Sequence, residues 1–279
     1  MRNVCLLAAV VTLVGCGARL ESHGIVPVEE PVTESSLEII SIETGERRVV
    51  YRAKDHFEAP NWSRDGSYLI YNSHGRLYTV PAAGGQPRLL DTGFAIKCNN
   101  DHGISPDGNW LVVSDDSRGG GSRIYILPIT GGEPRLVTDK APSYWHGWSP
   151  DGKTLAYPAQ RNGEFDIYTI PVEGGAETRL TDAPGLDDGS DYTPDGEYIY
   201  FNSVRTGVMK IWRMRPDGTG RTRIGRGDLD EIRPTVSPDG KHVAYVAERN
   251  YRTLLYLRRF DGSGDRILLG DGSVERPVW

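Results

Sequence analysis

Five copies of one tetrapeptide govern what this 279-residue chain can become. They are Ser63-Arg64-Asp65-Gly66, Ser105-Pro106-Asp107-Gly108, Ser149-Pro150-Asp151-Gly152, Thr193-Pro194-Asp195-Gly196 and Ser237-Pro238-Asp239-Gly240. Their Asp residues fall 42, 44, 44 and 44 residues apart. A fixed period of this length marks a repeat architecture, in which supersecondary units bury their apolar faces against one another. Such a scaffold commits most residues to structure and leaves recognition to one rim.

Every repeat reads alike. A short strand with an aromatic or apolar residue, such as Trp62 or Trp148, leads into the tetrapeptide. Ser at the first corner, Pro with its φ preset and Gly at the last corner suit a type I turn. An alternating strand follows, as in Tyr68-Leu69-Ile70-Tyr71 and Val243-Ala244-Tyr245, and then a third strand built on Ile/Leu-Tyr/Trp, as in Ile124-Tyr125 and Ile211-Trp212. A Gly-rich hairpin (Gly84-Gly85, Gly131-Gly132, Gly174-Gly175) and an Arg-Leu or Arg-Ile segment close the unit. Four period-2 segments with turn chemistry between them, and no long stretch of helical period, predict a four-stranded antiparallel blade.

These residues resemble a known family. The Ser-Pro-Asp-Gly turn, with an aromatic before it and Ile-Tyr after it, is similar to the PD40 repeats of TolB-like β-propellers, and the resemblance covers residues 36–279. It implies an all-β, six-bladed β-propeller of four-stranded blades. TolB itself has an additional N-terminal domain. The repeats here begin 20 residues after Cys16, which leaves that domain no room, so no Tol-system role is carried over.

The two ends share a blade in this reading. Residues 37–51 match the third and fourth strands of a repeat, and Glu275-Arg276-Pro277-Val278-Trp279 matches a first strand. Together they would close a sixth blade and leave no open sheet edge. That blade lacks its second strand: either it has three, or the reading frame has lost its C-terminus. The break in mid-phrase favours truncation.

Residues 1–16 read as a targeting segment, with Met1-Arg2 as the charged start, Leu6 to Val14 as the apolar run and Leu13-Val14-Gly15-Cys16 as the processing site. The last four resemble a bacterial lipobox with Cys16 as the lipidated residue, and Gly17 rather than Asp after it implies export to the outer membrane, facing the periplasm or the cell surface. An ordinary signal peptide with a chance Cys is the alternative. Residues 17–35 then form a polar tether. Cys5 would be removed and Cys16 acylated, so Cys98 stands alone and the ring must be held by its core rather than by disulfides. A lone Cys beside a strand is expected to be a small buried residue. The net charge of −6 argues against nucleic acid, which would call for a basic stripe. A membrane is reached through the lipid anchor alone, and the chain is expected to be a monomer.

Chemistry is expected on the rim opposite the tetrapeptide turns, whose repeated Asp is a turn former. Five residues before each Ser/Thr stand Glu58, Asn100, Tyr144, Asp188, Ile232 and Glu275, and three before it stand Pro60, His102, His146, Ser190, Pro234 and Pro277. Adjacent blades thus place His102 and His146 at equivalent positions near the channel mouth, with Asn99, Asn100, Asp101, Tyr144, Trp145, Asp187 and Asp188 close by. Imidazoles with carboxylates could hold a divalent metal or abstract a proton. They could equally bond a neighbouring blade and fill the channel wall, or bind a ligand without chemistry. Tyr144 and Trp145 break the repeat and could stack on a sugar.

Arg118, Arg161, Arg205 and Arg249 recur in the loops after the second strands, with His74 at the comparable place in the first repeat. They could read an anionic polymer such as a polyuronate, or pair with rim carboxylates such as Asp115, Asp187 or Glu231. No Gly-x-Ser-x-Gly, His-Glu-x-x-His, Walker or EF-hand pattern is present.

The reading that follows is a lipid-anchored envelope propeller that binds a protein or an acidic glycan and needs no cofactor. A sensor or accessory module without chemistry of its own is a further class. The enzymatic alternative resembles oligogalacturonate lyases, PD40-containing propellers with a channel-mouth metal held largely by His. This chain offers only His102 and His146 for that role.

Overall fold

A computed structural model describes residues 6–14, 33–249, 252–260, 263–269, 273–274 and 277–279. Cys16, most of the expected tether and Glu275 lie outside these residues, as does the side chain of Arg249. The described residues are all-β, without a helix. The N-terminal strands are β1 (Leu6–Val14), β2 (Thr33–Ser41) and β3 (Arg47–Ala53). Five antiparallel sheets of four consecutive strands follow. The first is β4 (Glu58–Trp62), β5 (Tyr68–Ser73), β6 (Arg76–Pro81) and β7 (Arg88–Leu89), and the second is β8 (Cys98–Ile104), β9 (Trp110–Asp115), β10 (Arg123–Pro128) and β11 (Arg135–Leu136). The third is β12 (Gly147–Trp148), β13 (Thr154–Arg161), β14 (Glu164–Pro171) and β15 (Thr178–Arg179). The fourth is β16 (Asp187–Tyr192), β17 (Ile199–Ser203), β18 (Lys210–Met214) and β19 (Thr222–Arg223). The fifth is β20 (Asp230–Val236), β21 (His242–Arg249), β22 (Arg252–Arg259) and β23 (Arg266–Leu269). These are the blades of a propeller.

The tetrapeptide performs one task in all five blades. Its Ser or Thr hydroxyl donates to the Asp Oδ1, at 2.7 Å for Ser63, 2.5 Å for Ser105 and 2.6 Å for Ser149, Thr193 and Ser237. The same hydroxyl accepts the amide five residues on, at 2.9–3.0 Å. The Asp therefore shapes the turn, as its recurrence predicts. Gly at the fourth corner takes φ between +67° and +77°, a region that side chains with a Cβ avoid.

Apolar residues on the second and third strands then meet across blade boundaries. Val112, Ile124 and Ile126 of the second blade pack on Leu155, Tyr157 and Tyr168 of the third. Ala156 and Ile167 of the third pack on Ile199 and Phe201 of the fourth. The N-terminal strands lie between the last blade and the first. Ile40 and Ile42 pack on Ala244, Leu255 and Leu257, while Leu37, Ile39 and Val50 pack on Phe57, Leu69 and Tyr71. Their sheet runs in the order β24-β1-β2-β3, with β24 at Ser273–Val274. Leu6–Val14, read from the sequence as an apolar targeting run, here pairs antiparallel with β2 from Leu6↔Ser41 to Val14↔Thr33. The β2 strand starts at Thr33, ahead of the expected propeller boundary at residue 36. Cys98 is buried with Sγ 3.6 Å from the Ala95 carbonyl, and burial raises its thiol pKa.

Two glycines separate local from long-range constraint. At Gly152, φ is +69° and an added Cβ would meet only Pro106 Cδ at 3.9 Å. At Gly147, an added Cβ would lie 2.8 Å from the Ser190 carbonyl of the next blade. Gly152→Ala should lower the unfolding free energy by about 1–2 kcal/mol, the cost of left-handed backbone for one L-residue. Gly147→Ala should cost more, because two blades must part, and chemical denaturation of the two variants would rank them.

Candidate functional site

The first strand of each blade lines the channel, and four of these strands are bulged at the end away from the tetrapeptide turn. Register shifts occur between Glu58 and Asn61, Cys98 and His102, Asp188 and Asp191, and Ile232 and Thr235. In three blades the residue four before the Ser/Thr adopts left-handed backbone: Ala59 at φ 52°, Gly189 at 66° and Arg233 at 55°. A bulge re-aims the side chains beside it, and left-handed backbone at a non-glycine is stored strain of the kind found at functional sites.

The re-aimed side chains meet at the mouth. His146, only 8% exposed, presents Nε2 at 3.2 Å from Asp188 Oδ1 and 3.4 Å from Asp101 Oδ1. The three residues come from three successive blades. Asn99 Nδ2 donates to Asp101 Oδ2 at 2.6 Å, and Asn99 Oδ1 accepts the Asp101 amide at 2.9 Å, which fixes that carboxylate. Burial works to raise the Asp188 pKa, but the His146 imidazole, the Gly189 amide and the Arg233 charge outweigh it and hold the group at about 2. Tyr144 is shifted upward, first by burial and then by the Asp101 and Asp116 charges.

Around these groups is a cavity of about 250 Å³ lined by Asn100, Tyr144, His146, Phe165, Asp188 and Arg233, among others. His146 and Arg233 also line a channel space of about 370 Å³ that reaches Trp148, Pro150, Pro194, Pro238 and Trp279 towards the turn face. Asn100 Nδ2 donates to Glu58 Oε2 at 3.4 Å, and Glu58 lies 3.7 Å from His56 Nε2. The mouth is thus a small polar bowl with two carboxylates, one imidazole and one guanidinium facing a common space.

The structure sorts the other sequence candidates by which way the strand pleat turns them. His102 is fully buried in the channel wall, with its carbonyl accepting Asn61 Nδ2 at 3.0 Å. Trp145 is buried against Gly103, where even a Cβ would come within 2.0 Å of the indole, so that ring packs in the core rather than on a ligand. Asp187 alternates away from Asp188 and pairs with Arg205 at 2.8 Å. Arg161 is held by Glu177 at 2.9 Å and by the Pro142 carbonyl at 2.9 Å. Arg118 stacks 3.9 Å above the centre of the Phe94 ring. Glu231 is taken by Arg258 at 3.4 Å. Arg233 and Phe165 were not singled out in the sequence. Arg233 shares a repeat column with Ala59 and Gly189, and a glycine in that column was the available sign of left-handed backbone.

Among the described residues, no group of three His, Cys, Asp or Glu side chains has the arrangement to hold a metal ion. His102 is enclosed in the channel wall, so His146 is the one imidazole that lines the mouth cavity. The residues present do not fit the His-rich ligand set that the lyase resemblance implies.

One consequence is a pH effect of definite sign. The folded-state pKa of Asp188 lies below its ordinary value of 3.8, at about 2. Its stabilising contribution is therefore complete above about pH 4 and lost as pH falls through about 2. Denaturation of wild type and Asp188→Asn should differ near neutral pH and converge over that acid window.

Comparison with known proteins agrees with the fold. The model of the PD40 family, described as the TolB beta propeller domain, matches residues 139–279. A solved structure of a TolB candidate from Agrobacterium tumefaciens is 47% identical with a TM-score of 0.83, covering 86% of this chain and 90% of that one. TolB from Acinetobacter baumannii is 21% identical with a TM-score of 0.80, covering 98% of this chain and 66% of that one, a likeness of fold alone. An oligogalacturonate lyase in complex with manganese is 13% identical with a TM-score of 0.57, covering 85% of this chain and 69% of that one, again a likeness of fold. A curated relative, an uncharacterised protein of Agrobacterium fabrum, is 49% identical over 113 residues, which span 40% of this chain and 39% of the relative. The chain belongs to the PD40 family of TolB-type β-propellers.

Proposed function

We propose that this chain is an exported envelope propeller that binds a protein partner at its channel mouth, without chemistry of its own. The observation that carries this reading is the bowl formed by His146, Asp101, Asp188 and Arg233. Four successive blades each contribute one of these groups to one space, Asp101, Asp188 and Arg233 sit at strand bulges, and the walls are fixed by long-range packing. A preorganised polar cavity of this kind recognises a partner's projecting side chains at low ordering cost. Its groups suit a segment that carries both a cation, for Asp101 and Asp188, and an acceptor, for Arg233. A TolB-like role as a periplasmic binding scaffold is consistent with family membership.

Export and anchoring belong to the same proposal. The lipobox-like Leu13-Val14-Gly15-Cys16 supports acylation at Cys16, and a closing sixth blade built around β2 and β3 supports a rigid ring. Processing at Cys16 would remove Leu6–Val14, the strand that pairs with β2. The two placements of that segment exclude each other, and intact mass of the membrane fraction decides between them. An acylated chain that begins at Cys16, and a Cys16→Ser variant that is not acylated, are the expected results.

For the mouth, a photo-crosslinking residue at Asn100 should give one discrete envelope-protein adduct in cells, and the same group at Lys153 on the turn face should not. Asp188→Ala with Arg233→Ala should abolish the adduct in a protein that is less stable but still unfolds cooperatively, with its circular dichroism unchanged at the assay temperature. Equal labelling from both faces, or an adduct indifferent to the two substitutions, would sink the reading.

A further inference from the structure

The turn face carries a second set of spaces, between neighbouring blades and far from the mouth. Five residues past each Ser/Thr, where the second strand starts, the repeats place Tyr68, Trp110, Thr154, Tyr198 and His242. The fourth strands carry an Arg at equivalent positions, Arg88, Arg135, Arg179, Arg223 and Arg266, of which Arg88, Arg135 and Arg266 line grooves. In the groove between the second and third blades these positions hold Trp110 and Arg135, around a space of about 570 Å³.

Trp110 is 45% exposed, unlike the tryptophans of the channel wall. Its backbone is pinned on both sides. The amide donates to Ser105 Oγ at 3.0 Å, the carbonyl accepts the Ser105 amide at 2.9 Å, and the residue pairs with Pro128 across the strand. Trp110 shares its pleat face with Val112, which is buried against the third blade, so the indole at the start of the strand lies over the same blade boundary. Trp148 also lines the groove, and its buried indole N–H has no acceptor among the described residues. Carboxylates complete the lining. Asp107 uses Oδ1 for its turn and accepts Asn109 Nδ2 on Oδ2 at 2.9 Å, whereas Asp151 uses Oδ1 for its turn and its Oδ2 lies outside that turn's bonds. Glu173, 80% exposed, sits 3.3 Å from the Arg135 guanidinium, which also donates to the Val172 carbonyl at 3.1 Å.

An exposed aromatic face beside polar groups matches a pyranose, which offers a C–H face to the ring and hydroxyls around its edge. The charge balance narrows the class. Three carboxylates face one guanidinium, itself paired, so an anionic sugar is repelled and a neutral or amino sugar is favoured. The groove lined by His242, Leu257, Arg259 and Arg266 has the opposite balance and no tryptophan, although it encloses about 600 Å³.

We propose that the turn-face groove between the second and third blades is a carbohydrate site for neutral or amino sugars, with Trp110 as the stacking face and Asp151 and Glu173 as hydroxyl or ammonium acceptors. This site is separate from the protein-binding mouth and needs no part of that reading.

The test is calorimetric titration of the full chain with chitotriose, its deacetylated triamine and trigalacturonate. Saturable binding of the first two is expected, with trigalacturonate weaker by about tenfold or more. Trp110→Ala should weaken both sugars by about tenfold or more while leaving the thermal midpoint unchanged, and Trp110→Phe should restore part of the loss. Glu173→Ala, at an exposed side chain, should weaken the triamine more than chitotriose and keeps the proposal testable if Trp110→Ala does not fold. No saturation by either sugar, equal affinity for trigalacturonate, or affinity indifferent to Trp110 would overturn the site.

Discussion

One hydroxyl in each repeat does two things at once, and the propeller depends on it. The Ser or Thr that opens each turn donates to Asp Oδ1 and accepts the amide at the start of the second strand. That fixes the register of the channel strand against its neighbour. Because strand side chains alternate with period two, a slip of one residue would turn the side chains fitted to one neighbouring blade towards the other. Tyr157, Leu155 and Ile170 can meet Val112 and Ile126 of the preceding blade only when that register holds.

The stiffness set at one face allows irregularity at the other. At the turn the strands are held by repeated local bonds. At the mouth the same strands bulge, and Arg233 and Ala59 adopt left-handed backbone that blade packing sustains. Arg161, Arg205 and Arg258 brace the loops and fourth strands by ion pairs with Glu177, Asp187 and Asp265. These partly buried, multiply bonded pairs leave His146, Asp101, Asp188 and Arg233 as the charged groups that share the mouth cavity. Function in such a scaffold sits where the repeat is broken, since the repeated residues are occupied with one another.

Much of the site could be read in one dimension. Aligning the repeats on their Ser/Thr placed Asn100, Tyr144, His146 and Asp188 on one rim, and the cavity gathers those four. The alignment could not say which way each side chain turns. His102 and His146 occupy the same column, yet one is enclosed and the other meets two carboxylates, because the second blade is bulged just before His102. Trp145 followed the same logic in reverse: it broke the pattern, but the absent side chain at Gly103 gave it a core slot.

What the sequence by itself determined is local and repeated: the tetrapeptide turn, the four-strand period, the left-handed glycine and the rim on which variation is concentrated. Those follow from the φ preferences of Pro and Gly, the reach of a Ser hydroxyl and alternation along strands, all of which act within a few residues. Only the tertiary structure decided that His146 is shared by Asp101 and Asp188, that Arg233 joins them, and that Trp110 stands over an acidic groove. Each of those outcomes brings together residues tens to more than a hundred positions apart, and the bulges and blade contacts that set their distances have no signature within a single repeat.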